Sequence, residues 1–404
     1  MELPIVILNK FNGLHLDAKD LQESTAGRCV KTPQGYWAFV PNPLPPEIPY
    51  NPELTALLSE ADRTLGQLAG VGRLLPNPHL LVAPYVRREA VLSSRIEGTQ
   101  ASLGDLFFFE AAPAEPPRVP DVREVYNYVR ALEYGLARLK DLPLSSRLVR
   151  EIHARLMEGV RGAHLTPGEF RQSQNWIGPP GCTLHEATFV PPPLHEMKDA
   201  MGLWEKYLYS ESPEPPLVQC ALMHYQFEAI HPFLDGNGRV GRLLITFFLC
   251  ERGHLPQPLL YLSAFFEGYR DEYYRRLLAV SQQGDWPGWI AFFLRGVSEQ
   301  ATDAVQTAER ILDLQSAYRE RIQGRRSPGP TLDILGGLFV NPYVTITGAR
   351  KKYGVNFHTA QAAIDLLCEA GILREVTGRQ RNRIYCAEEL LRTIEGKPAG
   401  ARRT

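Results

Sequence analysis

The sequence predicts a mainly α-helical protein whose last part forms a small unit of three helices and a β-hairpin. Apolar side chains recur at helical spacing through most of the region from about residue 51 to residue 320. The segment Arg326–Pro330 is rich in Pro and Gly, which indicates a linker. Three short helical patterns and then two short strand patterns follow it. At 404 residues the chain exceeds one typical domain, so two or three domains are expected.

The composition is that of an ordinary globular protein, with 44% hydrophobic and 22% charged residues. The net charge of −1 gives no global field that would attract nucleic acid. Six scattered cysteines without a C-x-x-C pair favour free thiols in a reducing compartment. The apolar run Pro4–Leu8 is too short for a signal peptide, and no apolar stretch approaches the ~18–20 residues that span a membrane. We therefore expect a cytoplasmic protein without membrane contact.

The region before the helices, residues 1 to about 50, is rich in Pro and Gly. We expect it to wrap irregularly over a helical core. Within the core, Asp121–Leu139 and Ser145–Gly159 read as amphipathic helices, and Trp286–Ile322 as one or two long helices. Pro216–Ile230 carries apolar residues at helical spacing, and Pro216 suits the first turn of a helix.

The segment His231–Arg242 is the most informative part of the chain. It lies between the helix Pro216–Ile230 and a second apolar helical pattern that continues to Gly253. We therefore expect a loop that runs into a helix N-terminus, where free N–H groups and the positive end of the helix dipole attract anions. Gly236 and Gly238 would let the backbone turn sharply and approach a phosphate closely.

The other polar residues of this segment suit a metal-bound triphosphate. The guanidinium groups of Arg239 and Arg242 can bind phosphate oxygens in a bidentate manner. Asp235 is a hard oxygen ligand of the kind that holds Mg²⁺ together with substrate phosphates. His231, with an ordinary pKa of about 6.5, suits a general base that activates a nearby hydroxyl.

Three other interpretations of the same residues are weaker. Gly236–Gly241 satisfies the G-x-G-x-x-G pattern, but a dinucleotide site needs a preceding strand and the preceding residues read as helix. A Walker pattern is absent from the sequence, so a P-loop kinase or NTPase has no support. His224 and His231 are seven residues apart without a third ligand at useful spacing, which argues against zinc.

At every defining position the segment matches the motif His-Pro-Phe-x-(Asp/Glu)-Gly-Asn-Gly-Arg-x-x-Arg, and the chain thus resembles the Fic family. The resemblance implies a Fic-type helical bundle with a β-hairpin flap. It also implies the transfer of AMP from ATP, with Mg²⁺, to a Ser, Thr or Tyr hydroxyl of a protein target.

The resemblance also implies a role for each motif residue. His231 would deprotonate the target hydroxyl, Asp235 would hold Mg²⁺ between the α- and β-phosphates, and Asn237 would contact the α-phosphate. The remaining residues would hold the phosphates: the backbone around Gly236 and Gly238 in the transition state, Arg239 at the β-phosphate and Arg242 at the γ-phosphate.

A second motif lies upstream, where Ser93, Glu97 and Gly98 match the inhibitory signature [Ser/Thr]-x-x-x-Glu-[Gly/Asn] of the family. Its position before the active-site motif resembles the class II arrangement, and Pro84–Ser94 has the composition of a helix. The resemblance implies that Glu97 pairs with Arg242 in the place of the γ-phosphate, and that it can also support removal of AMP from the target. The alternative is an ordinary solvated helix glutamate.

The stretch from Gly168 to Pro193 alternates turn residues with a short run that could pair as a hairpin. By resemblance it is the flap that holds the target's backbone by strand addition, with Thr183, Phe189 and Val190 as docking residues. An ordinary Pro-rich surface loop is the alternative.

By the same resemblance, Tyr273 and Tyr274 help to enclose adenine, where stacking on an aromatic ring is favourable. Two tyrosines on a helix are, however, often part of a hydrophobic core.

The C-terminal patterns are helices over 332–339, 344–353 and 356–370, and strands over 372–376 and 382–385. This order resembles a winged helix-turn-helix. Residues 331–404 contain 11 Lys and Arg against 7 Asp and Glu, a net charge of +4. Basic residues crowd the expected wing and the turn between helices, which favours contact with phosphates: Arg350, Lys351, Lys352, Arg379, Arg381 and Arg383. The alternative is a dimerisation or docking module.

These patterns divide the chain into four parts. Residues 1–110 would be an N-terminal extension with the inhibitory helix, 111–325 the catalytic domain, 326–395 the winged helix-turn-helix and 396–404 a disordered tail. The expected partners are ATP, a protein target, the protein itself by self-modification, DNA through the C-terminal unit, and a second copy in a homodimer. Two rival functions remain open: transfer of another group such as UMP, phosphate or phosphocholine, and a DNA-binding regulator whose nucleotide site only senses ATP.

Overall fold

The computed structural model describes residues 24–74, 79–179, 181–325 and 329–396. Residues 1–23 of the predicted N-terminal extension, residues 75–78, residue 180, the linker residues 326–328 and the tail from 397 lie outside the described residues. Within them the protein is mainly helical with two small sheets, so the prediction of a mainly α-helical fold is confirmed. Among the described helices none is long and apolar enough to cross a bilayer.

Two short strands, β1 Gly27–Lys31 and β2 Trp37–Pro41, precede the helices. The helical region comprises α1 Pro52–Leu74, α2 His79–Ile96, α3 Leu103–Ala111, α4 Val122–Arg138, α5 Ser146–Leu156, α6 Leu194–Tyr209, α7 Pro216–Ile230, α8 Asn237–Glu251, α9 Ser263–Gly268, α10 Arg270–Gln283 and α11 Trp286–Ile322. The C-terminal unit comprises α12 Thr331–Leu338, β3 Tyr343–Thr345, α13 Ile346–Tyr353, α14 Phe357–Glu369, β4 Arg374–Glu375, β5 Ile384–Cys386 and α15 Glu388–Glu395.

Helices α7 and α8 form the centre of the molecule. They pack against each other, and almost every side chain of α7 is buried, which is why its sequence is apolar on all sides rather than amphipathic. The long helix α11 packs along α1 and also touches α7, α9 and α10. It is one continuous helix, and Asp285 caps its N-terminus by accepting from Gly288 N at 3.0 Å. This packing fixes the loop between α7 and α8 at the middle of a rigid helical core.

The N-terminal region is more regular than the sequence suggested. Strands β1 (Gly27–Lys31) and β2 (Trp37–Pro41) form an antiparallel hairpin, with Gly27 opposite Pro41. Phe39 of β2 donates its N–H to the carbonyl of Val190 at 2.9 Å, which joins this hairpin to the predicted flap. The abundance of Pro and Gly concealed a strand pair of only five residues each.

The predicted flap, in contrast, is less regular than a hairpin. Within the described residues of the segment, a single antiparallel bridge joins Ile177 and Phe189. A short 3₁₀ turn over Leu184–Glu186 lies near its tip. The flap therefore depends on the N-terminal hairpin for a strand-like neighbour.

The C-terminal unit contains the three predicted helices α12, α13 and α14, and its sheet has the strand order β3–β5–β4. Two features differ from the prediction. The predicted second helix begins at Ile346, because residues 343–345 pair with β5, and the additional helix α15 follows the sheet. That the unit is a winged helix-turn-helix remains a prediction.

The same unit rests on α3 and on the residues that follow it. Asn341 donates to the carbonyl of Phe107 at 3.0 Å, and the ring of Tyr343 meets Phe108 edge-on at 5.9 Å. Arg379, assigned to the wing, forms an ion pair with Glu115 at 2.9 Å. One of the basic residues expected to face nucleic acid therefore already has an acidic partner.

Candidate active site

His231 ends α7 in a left-handed backbone conformation, with φ 51° and ψ 60°. This conformation costs free energy for a residue with a Cβ, so the surrounding contacts must hold it in place. Two buried side chains do so, because Arg171 Nε and Asn175 Nδ2 each donate to the His231 carbonyl at 3.1 Å. Neither was singled out as a site residue from the sequence, although both lie in the flap segment that resembles the family.

The His231 ring is oriented by the helix that precedes it. Its Nδ1 lies 3.2 Å from the carbonyl of Glu228, and a carbonyl only accepts, so Nδ1 carries the hydrogen. Nε2 then holds the lone pair, and it is buried without a hydrogen-bond partner among the described residues. Burial lowers the pKa of His231 to about 4. The imidazole is therefore neutral near pH 7 and able to accept a proton at Nε2.

Gly236 is the N-cap of α8, with φ 79°, and a Cβ there would lie 3.0 Å from Met157 Sδ. The left-handed backbone angle therefore favours glycine, and a larger residue would also crowd Met157. Asn237 begins the helix, and its side chain bonds to both the N–H and the carbonyl of Phe233 at 2.8 Å. Since that amide closes the loop, Asn237 offers its backbone N–H to the predicted phosphate site.

Asp235 lies in the loop between α7 and α8 and lines a groove on the surface of the protein. Its Oδ1 accepts from Gly236 N at 2.6 Å and lies 3.7 Å from Arg239 Nη2. The side chain is 28% exposed, so it remains reachable by a ligand. Among the described residues no group of three or more His, Cys, Asp or Glu could hold a metal without a substrate.

His153 is a positioning residue that sequence reasoning did not find. Its Nδ1 accepts from Gly168 N at 2.8 Å, so Nε2 carries the hydrogen and donates to the Asp235 carbonyl at 3.0 Å. The ring stacks on Phe233 at 3.7 Å, and burial lowers the pKa of His153 to about 4. A histidine on an amphipathic helix carries no local signal of such a contact.

The two motif arginines are buried and face different carboxylates. Arg239 lies 3.4 Å from Glu124 Oε2, and its side chain is 2% exposed. Arg242 donates from Nε to Ser93 Oγ at 2.8 Å and from Nη2 to the Ser93 carbonyl at 2.9 Å. Arg242 Nη2 also donates to Glu97 Oε1 at 2.8 Å. The structure therefore brings Ser93, Glu97 and Arg242 together as expected.

Glu97 follows the last residue of α2, and Gly98, with φ 97°, turns the chain away from the helix. Burial raises the pKa of Glu97, but the charge and hydrogen bond of Arg242, together with the charges of Arg239 and Arg270, outweigh burial, so the pKa falls below its usual value. A Cβ on Gly238 would overlap Glu97 Oε1. The carboxylate thus lies directly on the first turn of α8, where the helix favours an anion.

One pocket opens beside these residues. Its polar part is formed by the loop, the start of α8 and the Glu97–Arg242 pair, and the rest is mainly apolar and aromatic. The residues of the second part are Ile177, Phe189, Tyr225, Tyr273, Tyr274, Leu277 and Leu278. A second, larger groove meets the first pocket at Asp235 and Glu97 and is lined by Arg239, by the N-terminal hairpin and by the flap.

The predicted adenine-binding tyrosines both line the pocket, but Tyr273 is buried whereas Tyr274 is only partly buried. Tyr273 is 1% exposed, and its hydroxyl lies 2.9 Å from His224 Nε2. The Tyr273 ring also stacks on Phe266 at 4.4 Å, so this residue belongs largely to the core. Tyr274 lies beside it, with ring centroids 5.1 Å apart.

The predicted docking residues are placed in three ways. Thr183 is at the surface, where its hydroxyl bonds to Glu186 at 2.9 Å. Phe189 is buried against Phe39, with ring centroids 5.8 Å apart. Val190 uses its carbonyl to bind Phe39 N. Phe189 and Val190 therefore form the junction of flap and hairpin, and Thr183 alone of the three lines the open groove.

The fold and the loop together define a helical protein in which a glycine turn at a helix N-terminus lies next to a neutral histidine. Residues 143–249 match the Fic/DOC family, and residues 55–137 match the Fic/DOC family N-terminal region. The chain therefore contains a Fic/DOC family region over residues 143–249, preceded by the N-terminal region of that family over residues 55–137.

Curated relatives are similar to a part of the chain. A protein adenylyltransferase Fic of Drosophila erecta is 26% identical over 223 residues, which is 52% of this chain and 41% of the relative. The protein of the same name from Drosophila ananassae is 29% identical over 180 residues, covering 43% and 32%. The chain thus spans about two fifths or less of the length of these relatives.

Solved structures share the fold at low sequence identity. A Fic family protein from Desulfovibrio desulfuricans G20 superposes with a TM-score of 0.56 at 21% identity, covering 85% of this chain and 98% of that one. Fic-1 from C. elegans gives a TM-score of 0.50 at 19% identity, covering 64% and 75%.

Proposed function

We propose that the protein transfers AMP from ATP to a Ser, Thr or Tyr hydroxyl of a protein. The observation that carries this proposal is the neutral His231, whose unpartnered Nε2 lines a pocket that begins at the N-terminus of α8. A proton acceptor and an anion-binding helix end in one pocket suit attack by a hydroxyl on a phosphate. The curated relatives named protein adenylyltransferase support the same chemistry.

In the proposed step, Nε2 of His231 takes the proton of the target hydroxyl. The hydroxyl oxygen attacks the α-phosphorus of ATP and forms a new P–O bond. The bond from the α-phosphorus to the oxygen bridging to the β-phosphate breaks, and pyrophosphate leaves with that electron pair. Positioning and charge stabilisation supply most of the catalysis in such a transfer.

The remaining motif residues fit a nucleotide bound with Mg²⁺. Asp235 is an accessible carboxylate at the junction of pocket and groove, and Mg²⁺ commonly combines one such ligand with substrate phosphates. Bound there, the ion would neutralise charge on the phosphates. Arg239 and Arg242 would bind the β- and γ-phosphates, and the first-turn N–H groups of α8 would face the α-phosphate.

We propose further that Glu97 inhibits this reaction. Its carboxylate occupies Arg242 and packs on Gly238, so a triphosphate cannot use either group while Glu97 stays in place. Displacing Glu97 would free a buried guanidinium for the γ-phosphate. The same carboxylate, once displaced, is a candidate for orienting the water in the reverse reaction, removal of AMP from the target.

The test is self-labelling by ATP, followed by intact-mass spectrometry. The Glu97→Gly variant should gain the mass of one or more AMP groups, whereas the unchanged protein should gain little. Adding His231→Ala to that variant should abolish the gain, because removal of one catalytic group typically costs at least ~10²-fold. No label on Glu97→Gly, or undiminished label after His231→Ala, would contradict the proposal.

Labelled donors separate this function from transfer of another group. ATP labelled in the α-phosphate should mark the protein, and ATP labelled only in the γ-phosphate should not. UTP and a phosphocholine donor should be poor substrates. Labelling from the γ-phosphate would instead indicate phosphate transfer.

A second proposal concerns DNA binding by the C-terminal unit. Arg350 and Lys351 on α13 are exposed, as are Phe357 and His358 at the start of α14. Basic and aromatic side chains around a helix N-terminus suit contact with a duplex. A gel-shift assay with salt titration tests it, and repeating it with His231→Ala separates DNA binding from catalysis. No shift at low salt would exclude this role.

A further inference from the structure

Glu228 is a buried carboxyl group of the pocket that the proposed reaction does not use. Its side chain lines the same pocket as His231 and Arg242. Its Oε1 is buried without a hydrogen-bond partner among the described residues. A buried oxygen of this kind costs stability, and in a ligand site it points to a partner that arrives with the ligand.

The position of Glu228 along α7 shows which part of a nucleotide it would meet. Tyr225, Glu228 and His231 follow one another at three-residue intervals, and all three line the pocket. A helix rises about 1.5 Å per residue, so they are spaced about 4.5 Å apart along the axis. In the proposed site His231 lies next to the α-phosphate, and Tyr225 lies in the apolar part of the pocket that suits a base. In a nucleotide the sugar lies between these two.

Other polar groups in this part of the pocket are already engaged. The Tyr225 hydroxyl lies 2.8 Å from Ser281 Oγ. The Tyr273 hydroxyl lies 2.9 Å from His224 Nε2. The hydroxyl groups of Tyr225 and Tyr273 thus already have partners, whereas Glu228 can still form a hydrogen bond with a ligand.

The charge state of Glu228 is compatible with a nearby polyphosphate. Burial raises its pKa to about 8, with Glu97 adding to the rise and Arg242 opposing it. Near pH 7 the group is largely a neutral carboxylic acid, which does not repel phosphates and can both donate and accept a hydrogen bond. Oε1 also packs so closely on Gly241 that a Cβ there would overlap it, which fixes the carboxyl in place.

We propose that Glu228 binds the ribose of the nucleotide through its hydroxyl groups and so selects ribonucleotides over deoxyribonucleotides. This inference rests on the proposed nucleotide site. It assigns Glu228 a binding and specificity role, separate from the proton transfer by His231.

The test compares binding of ATP, 2′-deoxyATP and 3′-deoxyATP by calorimetry, in the full chain with Glu97→Gly. This parent should bind ATP at least about tenfold more tightly than one of the deoxynucleotides, since a hydroxyl bonded to a buried group is worth that much. Glu228→Gln keeps a donor and an acceptor and should retain most of the preference. Glu228→Leu keeps the volume without the hydrogen bonds and should bind all three nucleotides about equally.

The ratio of the affinities for ATP and for the deoxynucleotides separates this role from a structural one. General damage to the pocket would weaken the binding of all three nucleotides by a similar factor and leave that ratio unchanged. No preference in the parent, or an undiminished preference in Glu228→Leu, would overturn the proposal. If Glu228→Leu does not fold, Glu228→Met and Glu228→Ala provide the same comparison. This outcome is independent of the labelling experiment. A preference for ribonucleotides that depends on Glu228, without AMP transfer, would contradict the proposed reaction alone. AMP transfer without that preference would contradict this inference alone.

Discussion

Arg242 donates from a single nitrogen, Nη2, to both the Glu97 carboxylate and the Ser93 carbonyl, at 2.8 and 2.9 Å. Its Nε donates in addition to Ser93 Oγ. One guanidinium thus joins α8 to the end of α2 through three hydrogen bonds, and two of them go to Ser93. The serine of the motif is as much a part of this contact as the glutamate.

Ser93→Ala should therefore weaken inhibition without removing it. The variant loses the bond from Arg242 Nε but keeps the carbonyl contact and Glu97. A hydrogen bond to a charged group is worth roughly 1.5–3 kcal/mol, so self-labelling should rise roughly tenfold or more, yet stay below that of Glu97→Gly. Ser94→Ala is the matched control, because Ser94 is equally buried and its Oγ has no partner among the described residues. Equal labelling by the two variants would contradict this assignment.

Asn175→Ala should impair turnover far more than nucleotide binding. The Asn175 side chain donates to the carbonyls of His231 and Phe233, and so holds the left-handed turn that aims the imidazole. A displacement of about 1 Å at a reacting group costs on the order of 10²-fold in rate. In the Glu97→Gly background we expect the labelling rate to fall about that much and the Kd for ATP to change little. Gln172→Ala, at an exposed position of the same segment, should leave both unchanged. An equal loss in Kd would instead indicate a collapsed pocket.

The pH at which the labelling rate falls in acid should lie well below the pKa of an ordinary histidine. Because the pKa of His231 is lowered to about 4, the imidazole loses its base function only as pH falls toward that value. Removing Glu97, which raises this pKa, does not move the pH of the fall in rate upward. The pH profile of labelling by Glu97→Gly should therefore stay flat from pH 7 to about pH 5 and then fall. A fall centred near pH 6.5 would show an exposed imidazole.

Glu228→Gln should stabilise the protein relative to the parent, increasingly as pH rises from about 4.5 to about 8. The folded pKa of Glu228, about 8, lies above the ordinary value, so the folded state holds a proton that the unfolded state has lost. Stability from this group is complete below about pH 4.5 and is lost as pH rises toward 8. The difference in unfolding free energy between variant and parent should grow with pH by up to about 1.4 kcal/mol per unit. Chemical denaturation at pH 5 and pH 8 measures it, and an equal difference at both would exclude a raised pKa.

His153→Phe should destabilise the loop while keeping the stack on Phe233. It leaves the N–H of Gly168 and the carbonyl of Asp235 without their partner. Leaving a buried polar group unpaired costs about 1–3 kcal/mol, so the unfolding free energy should drop by that order. His164→Phe, at an exposed position, should change it by less than about 0.5 kcal/mol. An unchanged unfolding free energy in His153→Phe would show that stacking on Phe233 is sufficient to hold the loop.

The helical fold and the glycine turn before α8 could be predicted because they are local. Apolar periodicity revealed α7 and α8, and the left-handed backbone angle of Gly236 is one that glycine adopts readily and nearby residues decide. The Glu97–Arg242 contact, in contrast, spans 145 residues and was predicted through the family resemblance alone. His153 and Asn175 escaped detection because nothing in their neighbouring sequence records a contact with a carbonyl across the fold.

The regular hairpin at the N-terminus escaped for another reason. Its strands have five residues each, and the segment's Pro and Gly content favoured an irregular reading. The bond from Phe39 to Val190 stabilises it from outside, through a segment far along the chain. Such mutual support cannot be read from either segment separately.

The C-terminal unit packs against α3, and this contact determines where the chain can be truncated without disturbing the rest of the fold. Asn341 and Tyr343 contact Phe107 and Phe108, and these two phenylalanines follow the Glu97 turn by about ten residues. A shortened chain that stops before residue 331 would expose that aromatic surface to water and loosen the neighbourhood of Glu97. Kinetic constants from such a fragment would describe a different ground state from that of the intact molecule.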